Sequence, residues 1–100
     1  MAKDGDIAIS VLTRAEILHG MREHERERTM RVLNGIPALV VDIPIADLAG
    51  EFLRQYKQRG INLELTDAVI AATAVYHNLT LVTLNRKDFP MPELRLADMP

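Results

Sequence analysis

Apolar residues in this chain come in two kinds of run, spaced and continuous, and the alternation between them lays out the elements. IAIS (7–10) is a short β-rich run. It is followed by a long charged segment in which Ile17, Leu18, Met21, Met30, Val32 and Leu33 supply an apolar stripe, the mark of an amphipathic helix. Thr13 stands as its N-cap and Gly35 as its stop signal. ALVVDI (38–43) is continuously apolar and predicts a strand covered on both faces. Pro44 and Asp47 then open a second helix, IADLAGEFLRQYKQRG, which Gly60 terminates. A third helix runs through LTDAVIAATAV to about Asn78, with no large polar residue on any face, so it should be buried. TLVTL (80–84) predicts a third strand, and ELRL (93–96) a short fourth.

The order strand, helix, strand, helix, helix, strand predicts an α/β fold with a parallel sheet flanked by helices. In such sheets ligands bind beyond the carboxyl ends of the strands. The segments 11–16 and 85–88 should therefore lie on one rim, which the third helix reaches if its N-terminus points that way.

Composition narrows the picture little. One hundred residues make a single domain with one modest core. With 48% apolar and 26% charged residues the chain has the balance of a soluble globular protein. A net charge of -2 lacks the basic footprint of a stoichiometric nucleic-acid binder, but it constrains less an enzyme whose metal offsets an acidic cluster. The absence of cysteine excludes disulfides and thiolate metal sites and leaves the cytoplasm as the default compartment. The longest apolar run is too short for a membrane span, and MAKDGD lacks the basic-then-apolar order of an export signal.

Three acids fall where the rim is expected: Glu16, Asp67 and Asp88. Each has a purely structural explanation. Thr13-x-x-Glu16 matches a capping box. Asp67 follows Thr66 in a first helical turn, where the helix dipole favours a carboxylate by roughly 0.3 to 1 kcal/mol. Asp88 precedes Phe89 and Pro90, as a turn residue does. Taken jointly they point elsewhere, because converging carboxylates without cations raise one another's pKa. A hard divalent ion, Mg2+ or Mn2+, relieves that conflict and can activate water for an in-line phosphoryl displacement.

Other candidates carry less. His19 and His24 do not share a helix face as an i, i+4 zinc pair would, and His77 sits where it would stabilise a helix end. There is no P-loop, no GxGxxG and no GxSxG elbow. REHERER places Glu23 with Arg26 and Glu27 with Arg31 at helical pair spacing, which suits a solvated face whose arginines could also track a phosphate backbone.

Three segments together resemble a known family. ISVLTRAEILHG resembles the second acidic motif of PIN-domain proteins, and LTDAVIAATAVYHNLTLVTLNRKDF their third and fourth, with fitting spacing between them. The likeness is to VapC-type toxins of toxin-antitoxin pairs and runs from Ile7 to Leu96; its most specific part is DAVIAATA followed by LVTLNRKDF. The resemblance implies a Rossmann-like metal-dependent endoribonuclease toxin acting on RNA, inhibited by a cognate antitoxin and commonly a homodimer. Glu16, Asp67 and Asp88 would be its second, third and fourth acids. Asp67 would bind Mg2+ or Mn2+ directly, Glu16 and Asp88 directly or through water, and Thr83 and Asn85 would support the site from behind.

The chain departs from the family pattern at its start. The family opens with a strand carrying the first acid, in a pattern like LDTN, and neither Asp4 nor Asp6 has an apolar strand context. The expectation is an N-terminally truncated PIN-like domain over residues 1–100, lacking a strand-helix unit of roughly 30 residues. Loss of a central strand should leave an apolar groove or an unpaired edge, and this chain alone should have weak activity or none. The alternative is a non-catalytic PIN-like module that binds an antitoxin or itself through the helix from Arg14 to Leu33. A receiver-like phosphoacceptor domain fits less well, since the key acid opens a helix instead of ending a strand.

Overall fold

Ser10 ends the first strand and starts the first helix in one step. Its backbone is extended (φ -67°, ψ 148°), and its side-chain oxygen accepts the amide of Leu12 at 3.0 Å. That satisfies one of the amides a helix start leaves unpaired. In this computed structural model, which describes residues 9–83 and 85–97, the chain forms two compact units divided between Val40 and Val41.

In the first unit, β1 (Ile9–Ser10) runs parallel to β2 (Ala38–Leu39), with Ile9 opposite Ala38 and Ser10 opposite Leu39. Two helices connect them, α1 (Val11–Gly20) and α2 (Arg26–Asn34), with a one-turn 3-10 helix at Glu23–Glu25 in between. The single long helix expected here is therefore broken. Gly20 weakens a helix interior by about 1 kcal/mol relative to Ala, and Met21 and Arg22 then turn extended (ψ 152° and 155°). The Glu25 carboxylate holds the break by accepting the Arg22 amide at 2.8 Å. Arg14 ties α1 to the end of α2: its guanidinium donates to the Leu33 carbonyl at 3.2 Å and to Asn34 Oδ1 at 2.9 Å. The ion pairs expected from spacing both form on the exposed surface, Arg26 with Glu23 at 3.2 Å and Arg31 with Glu27 at 3.4 Å. The Glu23 carboxylate holds Arg26 more firmly protonated than an ordinary arginine, chiefly through their hydrogen bond.

The apolar run 38–43 is not one strand. Only Ala38–Leu39 pairs; Asp42 caps the next helix by accepting the Ile45 amide at 3.2 Å, and its own carbonyl accepts the Ala46 amide at 2.9 Å. Val40 and Ile43, expected to be covered, are 65% and 76% exposed. Capping outweighs β propensity because Pro44, which has no amide to donate, suits a first helical turn and not a buried strand.

The second unit is built on a helical hairpin, α3 (Ile43–Gln58) and α4 (Leu65–Tyr76). Ile45, Ala49, Phe52 and Tyr56 recur at helical spacing on α3 and are buried. From α4 the buried Ala68, Ala71 and Ala72 project nothing beyond a methyl, which lets the two helices pack closely. Burying Phe52 alone contributes about 1.5 to 3 kcal/mol. The buried Thr73 hydroxyl donates to the Val69 carbonyl at 2.7 Å, so the otherwise apolar face has no unmet polar atom there.

Both helices of the hairpin end on a left-handed residue. Gly60 (φ 79°) closes α3, with its amide on the Lys57 carbonyl and that of Ile61 on the Tyr56 carbonyl. Asn78 (φ 55°) closes α4 in the same way, through Asn78 to Val75 and Leu79 to Ala74. Arg95 fixes the second turn by donating to the Asn78 carbonyl at 2.6 Å and to its Oδ1 at 3.1 Å. β3 (Thr80–Val82) and β4 (Arg95–Ala97) pair in parallel, with Leu81 opposite Leu96. The fourth strand expected over ELRL is thus present, two residues shorter at its start and one longer at its end. The third strand stops at Val82; Leu84, like Ile7 and Ala8 of the first, lies outside the described residues. The parallel sheet expected from the element order takes the form of two parallel pairs, one in each unit. No helix among the described residues is long and apolar enough to cross a membrane.

Candidate active site

Two of the three acids, Asp67 and Asp88, belong to the second unit. α3 and α4 pack on each other across the short connection 59–64, so the end of α3 lies beside the start of α4. Tyr56, in the last turn of α3, donates its hydroxyl to the Pro90 carbonyl, two residues after Asp88. The turn that carries Asp88 is thereby tied to the end of the hairpin at which α4 begins with Asp67 in its first turn.

Asp67 occupies the first turn of α4, half-buried, three residues after the extended Glu64, which makes no side-chain cap bond. The helix dipole favours a negative charge there, as the sequence predicts. Asp88 closes a one-turn 3-10 helix, Arg86–Asp88, with its amide on the Asn85 carbonyl at 2.9 Å and that of Phe89 on the Arg86 carbonyl at 3.0 Å. It is half-buried, and Phe89 beside it is buried. Thr83 and Asn85 are bonded to each other: the Thr83 hydroxyl accepts the Asn85 amide at 3.0 Å, while the Thr83 amide bonds the Ala97 carbonyl at 3.1 Å. Thr83 thus links the β3–β4 edge to the turn that carries Asp88.

Glu16 belongs to the first unit, on the exposed side of α1. Its structural explanation does not hold. The helix begins at Val11 on Ser10, so Thr13 is already in the first turn, and the Thr13–Glu16 capping box has no helix start to cap. The sequence signal that was missed is the Ser closing IAIS, three residues before the Thr. His19 and His24 are exposed in the same unit, and His77 forms the C-cap of α4, edge-on to the Tyr76 ring at 5.2 Å.

These features define an α/β protein of parallel strand pairs and helices with acids at a helix start and in a turn after a strand. A model of the PIN domain matches residues 1–91, and the chain belongs to that family. It is 42% identical to ribonuclease VapC10 of Mycobacterium tuberculosis over 91 residues, 91% of this chain and 68% of that protein. Among solved structures it is similar to VapBC2 from Rickettsia felis bound to a promoter DNA fragment, with a TM-score of 0.80 and 28% identity over 93% of this chain and 74% of that one. A toxin-antitoxin complex from Klebsiella pneumoniae gives a TM-score of 0.74 and 35% identity over 87% and 70%.

The donor set suits a hard cation in kind. The chain has no cysteine, and the acids offer carboxylate oxygens, which Mg2+ and Mn2+ prefer. Within neither unit do three His, Asp or Glu side chains gather as a metal-holding group among the described residues. Mg2+ does not require three. It keeps several waters and is commonly held by one or two carboxylates together with substrate phosphates, a number that Asp67 and Asp88 would meet.

Proposed function

We propose that this chain is a VapC-type endoribonuclease toxin that cleaves RNA with Mg2+ or Mn2+ and is restrained by a cognate antitoxin. The observation that supports this reading is the bond from Tyr56, in the last turn of α3, to the Pro90 carbonyl, which ties the Asp88 turn to the end of the hairpin at which α4 begins. The identity to ribonuclease VapC10 supports the activity, and the likeness to VapBC2 and the Klebsiella complex supports an antitoxin partner.

Asp67 and Asp88, both of the second unit, would hold the ion. When bound, it supplies Lewis acidity, lowering the pKa of water and offsetting charge that develops on a phosphate. The protein's part is positioning. The helix start fixes Asp67, the hydrogen-bonded turn fixes Asp88, and Thr83 fixes the backbone at Asn85. Cleavage of a single-stranded RNA by the purified chain, with Mg2+ or Mn2+ and after chelation, tests the reading. Cleavage that needs the ion supports it, and cleavage indifferent to chelation opposes it.

The alternative is a non-catalytic module that binds an antitoxin or a second copy of itself. The exposed Ile17 of α1 and Val32 of α2 favour it, since they leave apolar surface open on the helices of the first unit. A complex with antitoxin that forms normally while RNA stays intact under every metal condition would select this reading.

A further inference from the structure

A one-turn 3-10 helix has poor hydrogen-bond geometry and no cooperative length to stabilise it, so the turn carrying Asp88 must be held from its flanks. On the upstream side Thr83 accepts the Asn85 amide. Downstream, Phe89 and Met91 are buried, and between them the Pro90 carbonyl accepts a hydrogen bond from the Tyr56 hydroxyl at 3.1 Å. Tyr56 comes from α3, 34 residues earlier, so this bond fastens the turn to the helical hairpin.

Tyr56 is 3% exposed, and a phenol hydroxyl so enclosed needs a partner. Its ring is fixed as well, with the Arg59 guanidinium 4.9 Å above its centroid and the ring on the buried face of α3. A ring locked on two sides leaves its hydroxyl little choice of direction. The Pro90 carbonyl, two residues after Asp88, is held accordingly.

On the reading that Asp88 helps hold a divalent ion, we infer that Tyr56 is a positioning residue for Asp88. Its hydroxyl holds the 86–90 turn in the one arrangement that serves the ion. It touches neither ion nor RNA and acts only through the Pro90 carbonyl and the turn.

The test uses Tyr56→Phe, which keeps the ring and removes the hydroxyl, alone and combined with Asp88→Asn. Two quantities are measured: amide hydrogen exchange at Asp88 and Phe89, and Mn2+ affinity by electron paramagnetic resonance of the free ion. Expected are at least fivefold faster exchange at these two amides, unchanged exchange at Ala71 and Ala72 in α4, and about three- to tenfold weaker Mn2+ binding. In the Asp88→Asn background, Tyr56→Phe should weaken Mn2+ binding no further. Unchanged exchange at Asp88 and Phe89, or equal weakening with and without Asp88, overturns the inference. Exchange that rises equally at Ala71 and Ala72 also overturns it, since Tyr56 would then be only a general core residue. If Asp88→Asn alone leaves Mn2+ affinity intact, the metal reading at Asp88 fails, and with it the role of Tyr56 toward the ion. Accelerated exchange in Tyr56→Phe tells that outcome apart from failure of the tether.

Discussion

The Thr83 hydroxyl accepts the backbone amide of Asn85 at 3.0 Å, and this bond joins the end of β3 to the turn that carries Asp88. It is exposed, so water can replace it at little cost to folding. Its value is in geometry, not stability.

Thr83→Val should therefore separate the two. Urea unfolding should shift by less than about 1 kcal/mol, whereas metal-dependent RNA cleavage should fall about tenfold or more, because small displacements of a catalytic group are costly. Thr83→Ser, which keeps the hydroxyl, should retain most of the activity. Equal cleavage by the Val variant and the parent would remove Thr83 from the site.

The start of α1 gives a second, purely structural prediction. Ser10→Ala should destabilise the protein by about 1 kcal/mol through loss of the cap. Thr13→Ala should stay within about 0.5 kcal/mol, since Thr13 caps nothing. Chemical denaturation of the two variants checks both, and the reverse ranking would restore Thr13 as the cap and Glu16 as its capping-box partner.

The helical hairpin supplies a third. Phe52→Ala should cost about 3 to 5 kcal/mol by opening a cavity opposite α4. Ala71→Leu should cost about 1 to 3 kcal/mol by forcing a larger side chain into the contact. Thermal melts of both variants decide it; an Ala71→Leu protein as stable as the parent would mean that the helices do not pack closely at that point.

What the sequence announced and what it hid follow one physical rule. Periodicity and termination were legible. The α3 stripe, the Gly60 stop and the buried character of 68–74 all appear where the pattern puts them, because burial and backbone sterics are local to those residues. Competition between local signals was not. ALVVDI reads as a strand until Asp42 and Pro44 claim its end for a helix start, and the charged helix reads as continuous until Gly20 and the Glu25 carboxylate break it.

The local setting of two candidate acids was legible for the same reason. Asp67 stands in a first helical turn and Asp88 in a turn, each readable from a few neighbouring residues. The long-range bonds were not. Nothing in the spacing of Tyr56 and Pro90, or of Arg95 and Asn78, shows that they meet. Such pairs exist only once α3, α4 and β4 have assembled.

On the proposed reading the Asp67 carboxylate serves an ion and not merely the helix dipole. Glu64 provides the control, an exposed acid at the start of the same helix that makes no cap bond. The measurement that tests this most directly is Mn2+ affinity, by electron paramagnetic resonance of the free ion, for the parent chain, Asp67→Asn and Glu64→Gln under one set of conditions. Clearly weaker binding in Asp67→Asn, with Glu64→Gln close to the parent, is the expected result. Equal affinity of Asp67→Asn and the parent would contradict it.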